Sequence, residues 1–231
     1  MSGEGEIGRE MVSFAVQRKN MVEGQVRPSD VVDRRILRAM LEIPREKFVP
    51  EDVRSLAYMD REVRMSPRVN GARCLMAPRV HARLIQALEL EHDAIVLEVG
   101  CGTGYGSAVM AKIVQTVVGL ESDPVLAATA TETLSALGID NAVVVVGSLK
   151  EGWPSEGPYD AILLSGAVPE VPETLFNQLK DGGRLVAVIA DGGVGRATVW
   201  QRSGSNVSPR TLFDAAAPVL PGFERAPEFV F

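Results

Sequence analysis

Cysteine and histidine are both scarce in this chain of 231 residues, which holds two of each. Two cysteines, Cys74 and Cys101, are too few for a disulfide scaffold, and neither sits in a His/Cys cluster with metal-ligand spacing. No metal is expected. Long apolar runs are missing as well, so no segment reads as a membrane span or a signal peptide. A cytoplasmic protein without a membrane partner is the expectation. Positive charge is not in excess either, and a net charge of −6 argues against a nucleic-acid binder that must neutralise phosphates.

What is present suits a soluble enzyme-sized unit. Hydrophobic residues make up 46% and charged residues 23%, ordinary values for a globular chain. The length fits one α/β domain with an N-terminal elaboration, divided at about residues 1–77 and 78–231 but read as one integrated unit. Charge is unevenly spread: residues 1–90 carry a net +3 and residues 91–231 a net −9. The basic part is either a solvated helix face or a region that draws in an anionic substrate.

The segment "SDVVDRRILRAMLEI" spaces Val31, Ile36, Leu37, Met40 and Leu41 near helical periodicity, with Ser29 or Asp30 placed to cap it. "PREKFVP" closes that helix, "LAYMD" follows as an irregular piece, and Pro78 opens a helix with Val80, Leu84, Ile85 and Leu88 on one face. From Ala94 the texture alternates. Apolar runs at about 94–99, 115–120, 142–146, 159–165 and 183–189 read as strands, with helices at about 104–113, 123–136 and 171–180. This pattern predicts a doubly wound, mostly parallel sheet. "RATVWQR", "VSPRTLFDA" and "EFVF" are β-rich without intervening helices, so the sheet is expected to end in antiparallel strands.

"VLEVGCGTGYG" sets Gly100, Gly102 and Gly104 directly after a strand, two residues beyond Glu98. Glycines there allow a tight turn and close approach of a ligand, and a following helix offers unpaired N–H groups. The spacing fails G-x-G-x-x-G, which disfavours a nicotinamide dinucleotide. Glu98 could instead face a cationic amino-acid end, and Glu121 closes the second strand where a carboxylate can accept both hydroxyls of a ribose. Together they suit S-adenosyl-L-methionine.

With "VVGLE", "GSLKEGWP", "PYDAILLSGA" and "QLKDGGRLV", and upstream "AMLEIPREKFVP" and "LAYMD", the chain resembles the protein-L-isoaspartate (D-aspartate) O-methyltransferase family from about Val31 to Val188. The resemblance implies a Rossmann-like, seven-stranded methyltransferase sheet with an N-terminal helical extension. It also implies methyl transfer from S-adenosylmethionine to a carboxyl of damaged aspartyl residues, and repair through a succinimide. The partner it implies is an isoaspartyl-containing protein or peptide; another carboxylate, a hydroxyl, or a module without turnover are the competing readings. By position, Gly100, Gly102, Gly104 and Glu121 match the family's cofactor site.

Two departures stand out. Where the family places Gly-Asp-Gly to bind the adenine amino group, this chain has Gly147, Ser148 and Leu149, leaving the Ser148 hydroxyl and the Leu149 N–H. Where relatives read Gly-x-Thr-Ile-Ser-x-Pro, Cys74 replaces the threonine and Met76 the serine that the resemblance places beside the methyl and acceptor carboxylate. A thioether is a weak acceptor and no donor. The expectation is a wall lined by Cys74, Met76 and Ser165 for the acceptor, with low isoaspartyl activity that Met76→Ser would raise; the alternative is that Met76 packs into the core. His81 and Trp153 read as structural, Tyr58 as a loop anchor and Cys101 as a filler. A carboxylate acceptor is already ionised at neutral pH, so no general base is needed.

Overall fold

Short apolar runs assemble into the sheet that carries the site. The computed structural model describes residues 14–66, 73–190 and 194–224. After the N-terminal elements come β3 (Ile95–Val99), α4 (Tyr105–Ala111), β4 (Thr116–Glu121), α5 (Pro124–Ala136), β5 (Ala142–Val146), β6 (Tyr159–Val168), α6 (Glu173–Phe176), β7 (Leu179–Ile189), β8 (Arg196–Ser203) and β9 (Asn206–Asp214). The seven strands run in the order β5-β4-β3-β6-β7-β8-β9. β5 through β7 are parallel, and β8 and β9 add antiparallel. This is the doubly wound, mostly parallel sheet with antiparallel last strands that the alternation predicted. The chain winds outward from β3 to β5, then returns to lay β6 on the other side of β3. That reversal leaves a crevice at the carboxyl ends of β3 and β6, where open α/β sheets bind ligands.

The apolar strands bury both faces at the centre. Leu97 and Val99 on one face and Val96 and Val117 on the other are fully buried, each such side chain stabilising by roughly 1.5–3 kcal/mol. β5 is an edge strand, so Val143 and Val146 remain about half exposed. Central and edge strands share one residue pattern here, and only pairing separates them.

In the N-terminal part a helix over 14–21, α1, runs on as a wider turn at Val22–Val26, followed by α2 (Arg34–Glu42) and short 3-10 helices at Arg45–Phe48 and Glu51–Leu56. β1 (Val63–Arg64) pairs with β2 (Cys74–Leu75) as a small antiparallel ribbon, and α3 (Pro78–Ala87) follows with Pro78 in its first turn. One core cluster joins Met21, Ile36 and Met76 from before residue 78 with Leu84, Val96 and Tyr105 from after it.

Three expectations change. The cap of α2 is Asp33, whose carboxylate accepts from Arg35 N at 2.8 Å, and not Ser29 or Asp30. Ser29 donates instead to Gln25 O, Asp30 is in the left-handed region, and the amides of Val32 and Asp33 are taken by Gln86. The helix expected over 171–180 is a single turn, because Leu179 already pairs with Tyr159 as the first residue of β7. β6 also continues past 165 to Val168, where it pairs with Ile189. "EFVF", Gly71 and Ala72 lie outside the described residues.

Candidate functional site

The cradle forms because the chain turns sharply at the end of β3. Gly100, Gly102 and Gly104 all have positive φ, at 76°, 59° and 90°, a region that side chains with a Cβ rarely enter. The turn is pinned from β4: Gly100 N and Cys101 N donate to Leu120 O at 2.8 and 3.1 Å. Thr103 Oγ1 donates to Phe48 O at 2.6 Å, tying the loop to the N-terminal part. Behind it, Tyr105 packs edge-on against Phe48, and the fully buried Arg45 lies over the Tyr105 ring at 4.7 Å. Arg45 also donates to Ala57 O and Met76 O, both at 2.7 Å. Burial pulls its guanidinium down from its ordinary pKa. The "PREKFVP" motif thus braces the cradle from behind, which the sequence alone did not disclose.

Glu121 sits where the spacing placed it. Its carboxylate is fully buried and accepts from Gly102 N at 2.8 Å. Arg73 Nη2 donates to the same oxygen at 2.7 Å and to Gly100 O at 2.8 Å. Arg73 is a site residue that sequence reasoning missed, since the contact spans 48 positions and leaves no local periodicity.

Glu98 is turned inward. Its two oxygens accept from Ser107 and Ser165 hydroxyls, each at 2.5 Å, so it clamps β3 to α4 and β6. Burial is the largest influence on it and raises its pKa to about 7, against the lowering by the two serines. His81 Nε2 stands 4.0 Å from Glu98, too far for a hydrogen bond, and both its ring nitrogens are buried without a partner. Burial lowers its pKa to about 3, so the pair is not an ion pair near neutrality. Gly106 was also missed: a Cβ there would run into Glu98 and His81.

The remaining candidates scatter. Ser165 points its hydroxyl at Glu98 and not into a cavity. Met76 is 2% exposed and belongs to the core cluster. Cys74 is half-buried at the wall of a cleft of about 810 Å³, with Arg61, Arg64, Arg79 and Arg83 around it. Ser148 is exposed, whereas the Leu149 side chain is buried in the core on the other sheet face. Trp153 lies beside Gly147, as a wall of the region beyond Glu121. Tyr58 anchors its loop, its hydroxyl donating to Glu46. Cys74, Met76 and Ser165 therefore do not share one wall, because Met76 and Ser165 turn toward the interior.

The donor set fits S-adenosylmethionine: a positive-φ glycine row open to close approach, a carbonyl at Gly100 for a cation, and a carboxylate at Glu121 for a diol. In this conformation the chain's own side chains lie against those glycines. A Cβ on Gly100 would come within 2.6 Å of Leu220, and one on Gly102 within 2.5 Å of Met65.

The model of the protein-L-isoaspartate(D-aspartate) O-methyltransferase family matches residues 16–214. A protein-L-isoaspartate O-methyltransferase of Herpetosiphon aurantiacus is 39% identical over 92% of this chain and 94% of its own. One from Syntrophobacter fumaroxidans is 38% identical over 78% of this chain and 83% of its own. Among solved structures, a protein-L-isoaspartate O-methyltransferase superposes with a TM-score of 0.80 at 29% identity, covering 89% of this chain and 66% of that one. A Plasmodium falciparum structure, a putative member in complex with S-adenosyl-L-homocysteine, shares the fold with a TM-score of 0.73 at 24% identity, over 88% of this chain and 97% of that one. With the match running from the N-terminal helices to the last strand, the chain belongs to the protein-L-isoaspartate (D-aspartate) O-methyltransferase family.

Proposed function

We propose that the chain is an S-adenosylmethionine-dependent O-methyltransferase that esterifies the carboxylate of isoaspartyl residues in proteins. The family match over residues 16–214 carries this reading. Gly100, Gly102, Gly104 and Glu121 would hold the cofactor, with Ser148 and the Leu149 N–H toward its adenine; when bound it supplies an electrophilic methyl. The chain's own part is to orient and to exclude water. Ser107 and Ser165 fix Glu98, and so hold β3, β6 and α4 in register under the cradle. An isoaspartyl carboxylate is ionised at pH 7 and needs no base. The buried, neutral His81 offers none.

Repair of damaged proteins is the biological role that follows, in the cytoplasm and without nucleic acid, a reading supported by the acidic balance of the chain. No helix among the described residues is long and apolar enough to cross a membrane. We read residues 1–77 and 78–231 as one unit, supported by their shared core. A second acceptor class, another carboxylate or a hydroxyl on a small molecule, is suggested by the resemblance, which implies a threonine and a serine where this chain has Cys74 and Met76. Release of S-adenosylhomocysteine on adding an isoaspartyl peptide, and not its aspartyl twin, is the expected result. Release only with small carboxylates would shift the assignment to the second class.

A further inference from the structure

We propose that Arg73 is a latch on the cofactor cradle, holding a closed state that the cofactor must displace. The inference rests on the cofactor reading above and concerns what governs occupancy of that site. Glu121 Oε2 accepts from Gly102 N and Arg73 Nη2, and Oε1 accepts from Ser122 N at 2.8 Å and Asp123 N at 3.1 Å. Ser122 Oγ adds a fifth donor at 3.2 Å, and a carboxylate offers about four acceptor positions, so a ribose hydroxyl gains an acceptor at Oε2 only when Arg73 withdraws. The same Nη2 occupies Gly100 O, the carbonyl open to a cation at the start of the turn. One guanidinium therefore satisfies both polar features that the cradle offers.

Two of the three side chains that lie against Gly100 and Gly102 come from one small unit, the third being Leu220. Arg73 and Met65 flank the β1–β2 ribbon and are joined by Met65 N donating to Arg73 O at 2.8 Å. Met65 covers Gly102 while Arg73 covers Gly100. Among the described residues the ribbon has two residue pairs, Val63 with Leu75 and Arg64 with Cys74, and an isolated two-stranded ribbon has little stability of its own. Arg73 and Met65 can then withdraw together. The closed state also carries a cost, because Arg73 Nε is buried without a hydrogen-bond partner. Such a cost keeps the latch displaceable.

An apparent dissociation constant is the intrinsic one divided by the open fraction. Arg73→Gln and Arg73→Met, made in the full chain, should bind S-adenosylhomocysteine at least ~10-fold tighter by calorimetry, matching an open fraction of about one tenth or less. In stopped flow, read by tryptophan fluorescence with Trp153 beside Gly147, the wild-type rate should saturate with ligand concentration as opening becomes limiting. The variants should show a linear rise. Folded variants with equal or weaker affinity, beside a wild type that binds, would overturn the latch and leave the cofactor reading standing. Absence of binding in wild type and variants alike would sink both. Should the Arg73 variants fail to fold, the wild-type kinetics decide: a rate that stays linear to the highest concentration overturns the proposal, and saturation, relieved in Met65→Ala, sustains it.

Discussion

At Glu98 and His81, two buried ionisable groups titrate in opposite directions. Glu98 has its folded pKa raised to about 7 from 4.5, so the folded protein keeps a proton that the unfolded chain releases. Its contribution to stability is present at low pH and lost as pH rises from about 4.5 to 7. His81 is lowered from 6.5 to about 3, so its contribution is present above 6.5 and lost as pH falls toward 3. Between pH 4.5 and 6.5 the two slopes oppose. Glu98→Gln removes one of them, and the variant should lose stability relative to wild type on acidification through that window, at up to about 1.4 kcal/mol per pH unit. Urea midpoints at several pH values check this; a pH-independent difference would contradict it. Met76 is decided at the same scale. Its side chain is in the core, so Met76→Ser should cost ~2–5 kcal/mol and lower the melting temperature without raising the isoaspartyl rate. A gained rate at unchanged melting temperature would restore the acceptor-wall expectation. Arg45→Ala strips two buried carbonyls of their donor and should cost about 2–4 kcal/mol by denaturant unfolding.

At the scale of elements, what repeats locally was legible. Apolar runs marked β3 through β7 within a few residues, and Pro78 marked the start of α3. What depends on partners was not. The 171–180 segment has helical spacing at Val171, Leu175 and Leu179, yet pairing of Leu179 with Tyr159 ends the helix after one turn. The β1–β2 ribbon is too short for any periodicity to show. Capping went astray for a similar reason: Ser29 and Asp30 are good caps by type, but Gln86, reaching from α3, fixes the chain two residues further on and leaves Asp33 to cap α2. Asp33→Ala should cost about 0.5–2 kcal/mol, read from the urea midpoint. Ser29→Ala should cost less than that.

Across the whole molecule, the cradle and its carboxylate were legible because a tight turn and a strand-ending acid leave a local signature. Arg73, Met65 and Leu220 were not, because they reach the same place from distant parts of the chain. The basic surplus of the N-terminal part resolves in a similar way. Around the cleft, Arg64 pairs with Asp52, Arg79 with Asp60, and Arg83 stacks on Phe213 at 3.5 Å. Much of that charge is engaged locally, which supports a solvated face over long-range steering. Family membership points to methyl esterification of isoaspartyl carboxylates, and the cradle to the cofactor that supplies the methyl. The direct measurement is transfer of labelled methyl from S-adenosylmethionine to an isoaspartyl peptide and to its aspartyl twin, followed by mild base. The account predicts label on the isoaspartyl peptide alone, released by base as methanol, as a methyl ester requires. Label that resists base, or that never reaches the isoaspartyl peptide, would contradict it.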